Sequence, residues 1–482
     1  MKICVLQPDY SFSNVDYQHY DPLRNLSSLW PEAHFDHIKV NKLTTYKQLQ
    51  TLRKKKYDIY VNLCEAYLEW EVPSIDVIFS LDLLNLPYTG PNIKLYDPPK
   101  TLMKYVAYIE GVPTPAYVLI QDVDSLDQKI NKLTYPLFVK PAKAGDSLGI
   151  DNFSLVYNKE SLEQKLDLLF NEYDEILIEE YINGREFTVL VANDKEMEDG
   201  VRVFKPVEYI FPDGFQYKTY SLKTSELHPD ANIAVDDKAL DNTLRNYAKK
   251  IFKGFGGEGY GRLDFRMNSK GELFFLEINF TCSVFYTEGF EGSADFILKF
   301  DGYGPANFLK LIVKDGISRY KARQKKFEVK GNSINGYGIY AVNSLKKGDI
   351  IFMAEGKPQA IITNQFVEKH WDADAKKIYR HYAYPLSEEV YILWDTDPGE
   401  WAPQNHSCEA NTCYEGLNVI ASRDIDKNEE LTLDYSLLLN ETAESFECTC
   451  GSPICKKHIS GIPGNSVTTR EIARNKKSKT LN

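Results

Sequence analysis

The chain has 482 residues, and at roughly 150 residues per domain this length predicts about three domains rather than one core. Its 57 Lys and Arg stand against 69 Asp and Glu, a formal net charge of −12, which excludes a globally basic nucleic-acid binder. No apolar run approaches the ~18 residues of a membrane span, and Met1-Lys2-Ile3-Cys4-Val5-Leu6 runs into Gln7-Pro8-Asp9 without a signal-peptide core, so a cytoplasmic protein without a membrane partner is expected.

In chain order, the apolar runs Ile3-Cys4-Val5-Leu6 and Ile59-Tyr60-Val61-Asn62-Leu63 read as buried parallel-type strands of an α/β layer over residues 1–98. Arg53-Lys54-Lys55-Lys56 closes a helix predicted over Tyr46 to Leu52, where cations suit the negative end of the helix dipole. From 99 to 318 longer, aromatic strands predict a second, α+β region. Between Asp315 and Lys330 the composition turns polar and basic, and the main boundary falls there. A third region spans 327–463, and residues 464–482 form a basic tail with little that could fill a core.

Gly254-Phe255-Gly256-Gly257-Glu258-Gly259 satisfies G-x-G-x-x-G, but a dinucleotide site needs a strand before the glycines and a helix after them. Here a helix predicted over Asp236 to Phe252 precedes them and the strand Gly261 to Phe265 follows. These are turn glycines. The next two strands, Gly261-Arg262-Leu263-Asp264-Phe265 and Phe274-Phe275-Leu276-Glu277-Ile278-Asn279, are joined by Asn268-Ser269-Lys270-Gly271. Pairing Asp264 and Arg262 with Glu277 and Asn279 gathers three oxygen ligands and a guanidinium, the hard set that Mg²⁺ prefers beside phosphates. Upstream, Phe138-Val139-Lys140-Pro141 ends a strand in a lysine before a glycine-containing loop. Ile176-Leu177-Ile178-Glu179-Glu180 ends a strand in carboxylates, and Glu186 follows. Lys104 and Lys223 add positive charge.

This order resembles the ATP-grasp superfamily, D-alanyl-D-alanine ligase branch, over roughly residues 55 to 300. Leu86-Pro87-Tyr88-Thr89-Gly90 and Glu110-Gly111-Val112-Pro113-Thr114-Pro115 are similar to two further segments of that branch. The resemblance implies that Lys104 and Lys140 bind ATP phosphates, Glu179 the adenine amine, Glu186 the ribose hydroxyls, and Lys223 the transferred phosphoryl group. Asp264, Glu277 and Asn279 would hold Mg²⁺, and Arg262 would stabilise an oxyanion. The branch's amino-anchoring segment near the N-terminus is missing from Leu6-Gln7-Pro8-Asp9-Tyr10-Ser11, and Asn279 is followed by Phe280-Thr281-Cys282-Ser283. Both departures imply a carboxylate-amine ligase with a substrate other than D-alanine.

Of 8 cysteines, five fall between Cys408 and Cys455, which suggests a local metal site in a reducing compartment rather than a disulfide framework. Cys448-Thr449-Cys450, Cys455 and Cys408 supply four thiolates for a closed structural zinc site, with Cys413 an ordinary strand residue. Asn335-Gly336-Tyr337-Gly338-Ile339-Tyr340-Ala341, then Asn405-His406-Ser407-Cys408, then Asn428-Glu429-Glu430-Leu431-Thr432-Leu433-Asp434-Tyr435 and the cysteine tail resemble a SET domain with its post-SET zinc segment. That resemblance implies a knotted, mainly β fold, S-adenosylmethionine held by Gly336, Gly338, Asn405 and His406, a lysine channel, and Tyr435 as the catalytic tyrosine. Leu433, with no hydroxyl, implies room for two or three methyl groups. Gly399 to Gln404 departs from the family's usual pattern. Tyr382, Tyr384 and Tyr391 are candidates for the channel wall, with packing the expected role of at least two.

The composite expectation is a multidomain chain: an α/β layer and an α+β ATP-grasp domain, then a mainly β SET domain with a zinc-binding tail. Its function would be ligation of an amino acid or peptide with ATP and Mg²⁺, plus methylation of a small lysine-containing substrate with S-adenosylmethionine. A protein lysine is the alternative acceptor, with the ligase half as a recognition module. The ligase resemblance also implies a homodimer.

Overall fold

A computed structural model describes all residues except 12, 14–20, 67, 69, 123–125, 144–147, 213, 218–230, 333–335, 353–358, 395–403 and 467–482. The chain divides into two compact units, Met1–Arg323 and Gln324–Asn482.

The first unit begins with β1 (Lys2–Pro8), β2 (His34–Val40), α1 (Thr45–Arg53), β3 (Ile59–Asn62) and α2 (Ile75–Leu83). The strands form a parallel sheet in the order β2-β1-β3. Both faces are buried, as parallel pairing requires. Cys4 and Leu6 pack with Leu49 and Leu81, whereas Ile3 and Val5 join Val61, Phe285 and Phe308 on the other side. Alternation along one strand thus serves two cores.

Next come α3 (Lys100–Ile109), β4 (Tyr117–Ile120), α4 (Leu126–Ile130), β5 (Leu137–Pro141), β6 (Leu155–Val156), α5 (Lys159–Leu169) and β7 (Ile176–Glu180). These strands make an antiparallel sheet in the order β4-β7-β5-β6. A larger sheet follows, from β8 (Gly184–Asn193), β9 (Val201–Val203), β10 (Val207–Tyr209), β11 (Asn232–Ala234), β12 (Tyr260–Asn268) and β13 (Leu273–Asn279), in the order β11-β10-β8-β12-β13 with β9 on β8. One face of this sheet, with Phe187, Val189, Leu263, Phe265 and Phe275, packs on α6 (Lys238–Gly254) and α3. The opposite face carries the polar residues described below.

The glycine run at 254–259 ends α6 and leads into β12, with Gly256 and Gly259 at φ +61° and +74°. They make a turn that an L side chain would strain. The unit closes with α7 (Ser293–Asp301) and α8 (Gly304–Arg323). The basic residues after Asp315 are the last turns of α8: Arg319 pairs with Asp315 at 2.7 Å and donates to the Gly90 carbonyl at 2.8 Å.

The second unit is mainly β, built from short sheets. Its elements are β14 (Phe327–Asn332), β15 (Gly336–Ala341), β16 (Ile350–Phe352), β17 (Gln359–Thr363), α9 (Asn364–His370), α10 (Ala373–Tyr382), β18 (Tyr384–Pro385), β19 (Val390–Trp394), β20 (Asn405–His406), β21 (Thr412–Glu415), β22 (Asn418–Ala421), β23 (Thr432–Leu433), β24 (Phe446–Glu447) and β25 (His458–Ile459). The two helices start at side-chain caps, Thr363 on the Phe366 N–H and Asp372 on the Ala375 N–H. Among the described residues, no helix is long and apolar enough to cross a membrane.

Candidate active sites

In the first unit, Glu179 on β7 lies between two lysines. Lys104 Nζ, from α3, is 2.5 Å from its Oε2, and Lys140 Nζ, from β5, is 2.5 Å from its Oε1. All three are buried. Burial raises the Glu179 carboxyl, but the two ammonium groups overcome that and bring it down to about 2. Burial lowers Lys104, with Lys140 adding to the effect, while Lys140 itself ends up raised because Glu179 and Glu277 outweigh its burial. One carboxylate therefore serves two cations, and the triad holds an excess positive charge suited to phosphate oxygens. Lys104 also donates to Thr114 Oγ1 at 2.9 Å.

The predicted hairpin pairs Arg262 with Asn279 and Asp264 with Glu277, a register reached through an irregularity after Asp264 that shifts it by one residue from the pairs nearer the turn. Arg262 Nη2 is 3.2 Å from Asp264 Oδ2. Glu186 on β8 faces Arg266 across the ladder. Lys100, one helical turn before Lys104, lies with Nζ 3.9 Å from Glu277 Oε2, and Glu277 and Glu186 both raise Lys140. The two sheets thus converge on one charged cleft. Among the described residues, Arg262 Nε and Thr188 Oγ1 are buried without a hydrogen-bond partner. Unmet donors beside lysines and hard oxygen ligands fit a polyphosphate with Mg²⁺. Sequence reasoning missed Lys100, although the i, i+4 spacing to Lys104 was a usable signal. The Glu179 carboxylate, expected at the adenine amine, is engaged by the two lysines. Lys223 lies outside the described residues.

In the second unit, β20 and β23 pair in parallel, Asn405 with Thr432 and His406 with Leu433. This draws three distant segments together. Asn405 Nδ2 donates to the Tyr337 carbonyl at 2.7 Å and to Glu430 Oε1 at 2.8 Å. Gly338 sits against the same carboxylate, where a Cβ would come within 2.4 Å of Glu430 Oε1. Gly336 has φ +83°. Tyr435 donates its hydroxyl hydrogen to the Gln404 carbonyl. Burial pushes that hydroxyl well up from its ordinary pKa, with Tyr337 and Tyr382 adding to the effect. Tyr384 instead stacks on Tyr414 at 4.5 Å, and Tyr391 is buried against Tyr379 and accepts from Asn440 at 2.9 Å. Two of the three tyrosines therefore serve packing. Residues 399–403 lie outside the described residues.

The Sγ atoms of Cys408, Cys448, Cys450 and Cys455 lie within 4.8 Å of one another, and Cys408 is 3.9 Å from Cys448. A tetrahedron with Zn–S bonds of about 2.3 Å has edges of about 3.8 Å. Backbone N–H groups of Lys456 and Lys457 donate to Cys408 and Cys455 Sγ at 3.3 and 3.4 Å. The donor set fits zinc. Cys413 lies on β21, exposed and apart from the four.

Fold and sites define a two-part chain, and a stretch of each part is similar to a known family. Residues 108–286 match the family described as D-ala D-ala ligase C-terminus, and residues 336–436 match the SET domain family. A D-alanine--D-alanine ligase of Idiomarina loihiensis is 29% identical over 206 residues, covering 42% of this chain and 63% of that protein. One from Enterococcus hirae is 28% identical over 259 residues, covering 52% and 68%. The chain spans about three fifths of the length of the curated relatives it matches. The crystal structure of D-alanine--D-alanine ligase from Bacillus anthracis complexed with ATP superposes with a TM-score of 0.50 at 17% identity, covering 67% of this chain and all of that one.

Proposed function

We propose that the chain is a bifunctional enzyme. Its first unit joins a carboxylic acid to an amine, the substrates being amino acids or peptides, with ATP cleavage through an acyl phosphate. Its second unit methylates the amine of a small lysine-containing substrate from S-adenosylmethionine. The observation that carries the reading is the Lys104–Glu179–Lys140 triad set beside Arg262, Asp264, Glu277 and Asn279.

A carboxylate is a poor electrophile, and transfer of a phosphoryl group to it creates a leaving group that an amine can displace. Lys104 and Lys140 hold phosphate oxygens, with their ammonium groups fixed by Glu179. Glu186 accepts from the ribose hydroxyls. Asp264, Glu277 and Asn279 would hold Mg²⁺, which when bound supplies charge neutralisation at the phosphates. Arg262 donates to the oxyanion formed as the amine adds, and Lys223 completes the phosphate contacts.

In the second unit the amine must attack as the neutral base. Because the Tyr435 hydroxyl spends its hydrogen on Gln404, its oxygen accepts from the substrate amine and aims the nitrogen lone pair at the methyl group. Gly336, Gly338, Asn405 and His406 support the methyl donor. Cys408, Cys448, Cys450 and Cys455 hold zinc as a structural ion, which favours a reducing compartment such as the cytoplasm. A homodimer belongs to the same reading and is checked by light scattering.

Mass spectrometry of the protein with Mg²⁺, ATP, S-adenosylmethionine and a mixed amino-acid and cell-extract pool tests the proposal. Small products carrying both a condensation and added methyl groups are expected. Methyl groups only on proteins, with no ATP-dependent condensate, would replace it with a protein-lysine methyltransferase whose first unit recognises the substrate.

A further inference from the structure

Arg262, Asp264 and Arg266 occupy one face of β12 at two-residue spacing. The first two have roles above; Arg266 has none. It is buried, 4% exposed, and directly across the ladder from Glu186, with Nη1 3.7 Å from Glu186 Oε2. Its Nη2 donates to the carbonyls of Gly184 and Gln216, each at 3.0 Å. The guanidinium lies 4.7 Å from the Tyr181 ring centroid and 5.8 Å from that of Phe211. Tyr181 follows β7, one residue after Glu180, and donates its own hydroxyl hydrogen to the same Gln216 carbonyl at 2.8 Å. Arg266 therefore ties together the end of β7, the start of β8 and the segment around Gln216, the three pieces of chain that flank Glu186.

A guanidinium in this place is costly to bury. The two carbonyls account for the donors of Nη2 but not for the charge. The charge matters because Glu186 is opposite, with Nη1 beside its carboxylate. We propose that Arg266 is the positioning residue for sugar recognition in the nucleotide site: it fixes the Glu186 carboxylate for the vicinal ribose hydroxyls and braces Tyr181 at the edge of the base. The proposal rests on the nucleotide-site reading above, and it makes the site selective for ribonucleotides over 2′-deoxyribonucleotides.

The test is calorimetric binding of ATP and of 2′-deoxy-ATP, each with Mg²⁺, to the intact chain and to its Arg266→Met and Arg266→Lys variants. The wild type is expected to prefer ATP by about tenfold, the weight of one charged hydrogen bond. Arg266→Met is expected to weaken ATP by about tenfold and 2′-deoxy-ATP by far less, so that the preference collapses; Arg266→Lys is expected to retain part of it. An unchanged preference in Arg266→Met, with ATP still bound, would overturn the proposal. If Arg266→Met does not fold, Arg266→Lys decides, because a lysine cannot bond both carbonyls while stacking on Tyr181; a wild-type preference there would overturn it equally. A wild-type chain that binds neither nucleotide would instead overturn the nucleotide-site reading, and this proposal with it.

Discussion

His406 Nδ1 accepts the backbone N–H of Tyr435 at 3.1 Å, and the same imidazole brings Nε2 to 3.4 Å from Cys408 Sγ. The proposed catalytic tyrosine is thus one side chain away from the thiol cluster, so the proposed zinc site would bear on chemistry it does not touch. Chelation of zinc, or Cys450→Ser, should unfold the segment around β24 and β25, abolish methyl transfer and leave ATP-dependent ADP formation within about twofold. Limited proteolysis combined with the two activity assays reads this. Simultaneous loss of both activities would contradict two separately folded units.

The buried triad makes a stability prediction with a defined sign. Glu179→Gln leaves Lys104 and Lys140 without their shared counter-ion and should cost about 3–5 kcal/mol, seen as a lower denaturation midpoint at pH 7. In the folded chain the Glu179 carboxyl is held at about 2, below its ordinary value of 4.5. The unfolded chain therefore takes up the proton first. The contribution is complete above about pH 4.5 and disappears as pH falls through about 2, so the gap between wild type and Glu179→Gln should close with acidification. A gap that is constant from pH 7 to pH 3 would mean that the pair is not what Glu179 contributes.

Substituting one proposed metal ligand should separate the two chemistries. Glu277→Gln keeps the shape of the side chain but removes the charge opposite Asp264 and near Lys100. Mg²⁺-dependent ADP formation should fall by about 10²–10³-fold, with methyl transfer unaffected. Equal loss of both would be evidence for misfolding rather than ligand removal, and circular dichroism of the variant distinguishes the two.

Tyr435→Phe removes the hydroxyl that bonds Gln404 while keeping the ring against His406 and Phe446. Methyl transfer should fall by at least about 10²-fold, whereas stability should change by only about 1 kcal/mol. Retained zinc, measured by metal analysis, verifies that the loss is chemical. Undiminished methyl transfer would remove Tyr435 from the catalytic assignment.

Part of the candidate sites was legible in residue types and spacing. Alternation put Glu277 and Asn279 on one face of their strand and Arg262 and Asp264 on one face of theirs, and C-x-C with Cys455 and Cys408 announced a thiolate cluster, because local periodicity decides which side chains share a face; the register that sets Arg262 opposite Asn279 and Asp264 opposite Glu277 came from the irregularity after Asp264. The helix before the 254–259 glycines was equally readable, and it removed a false dinucleotide motif. Partnerships across long separations were not. That Glu179 would be held by two lysines, that Lys100 would face Glu277, and that Asn405 would bind the Tyr337 carbonyl depended on how separate sheets and loops meet. Two of three channel candidates, Tyr384 and Tyr391, became packing residues for the same reason: a tyrosine's neighbours are set by the elements stacked on it, not by its neighbours in sequence. Arg266 is the plainest case. In sequence it is one more charged residue in a strand, and only the ladder that sets it against Glu186, between Tyr181 and Phe211, turns a common side chain into a buried guanidinium.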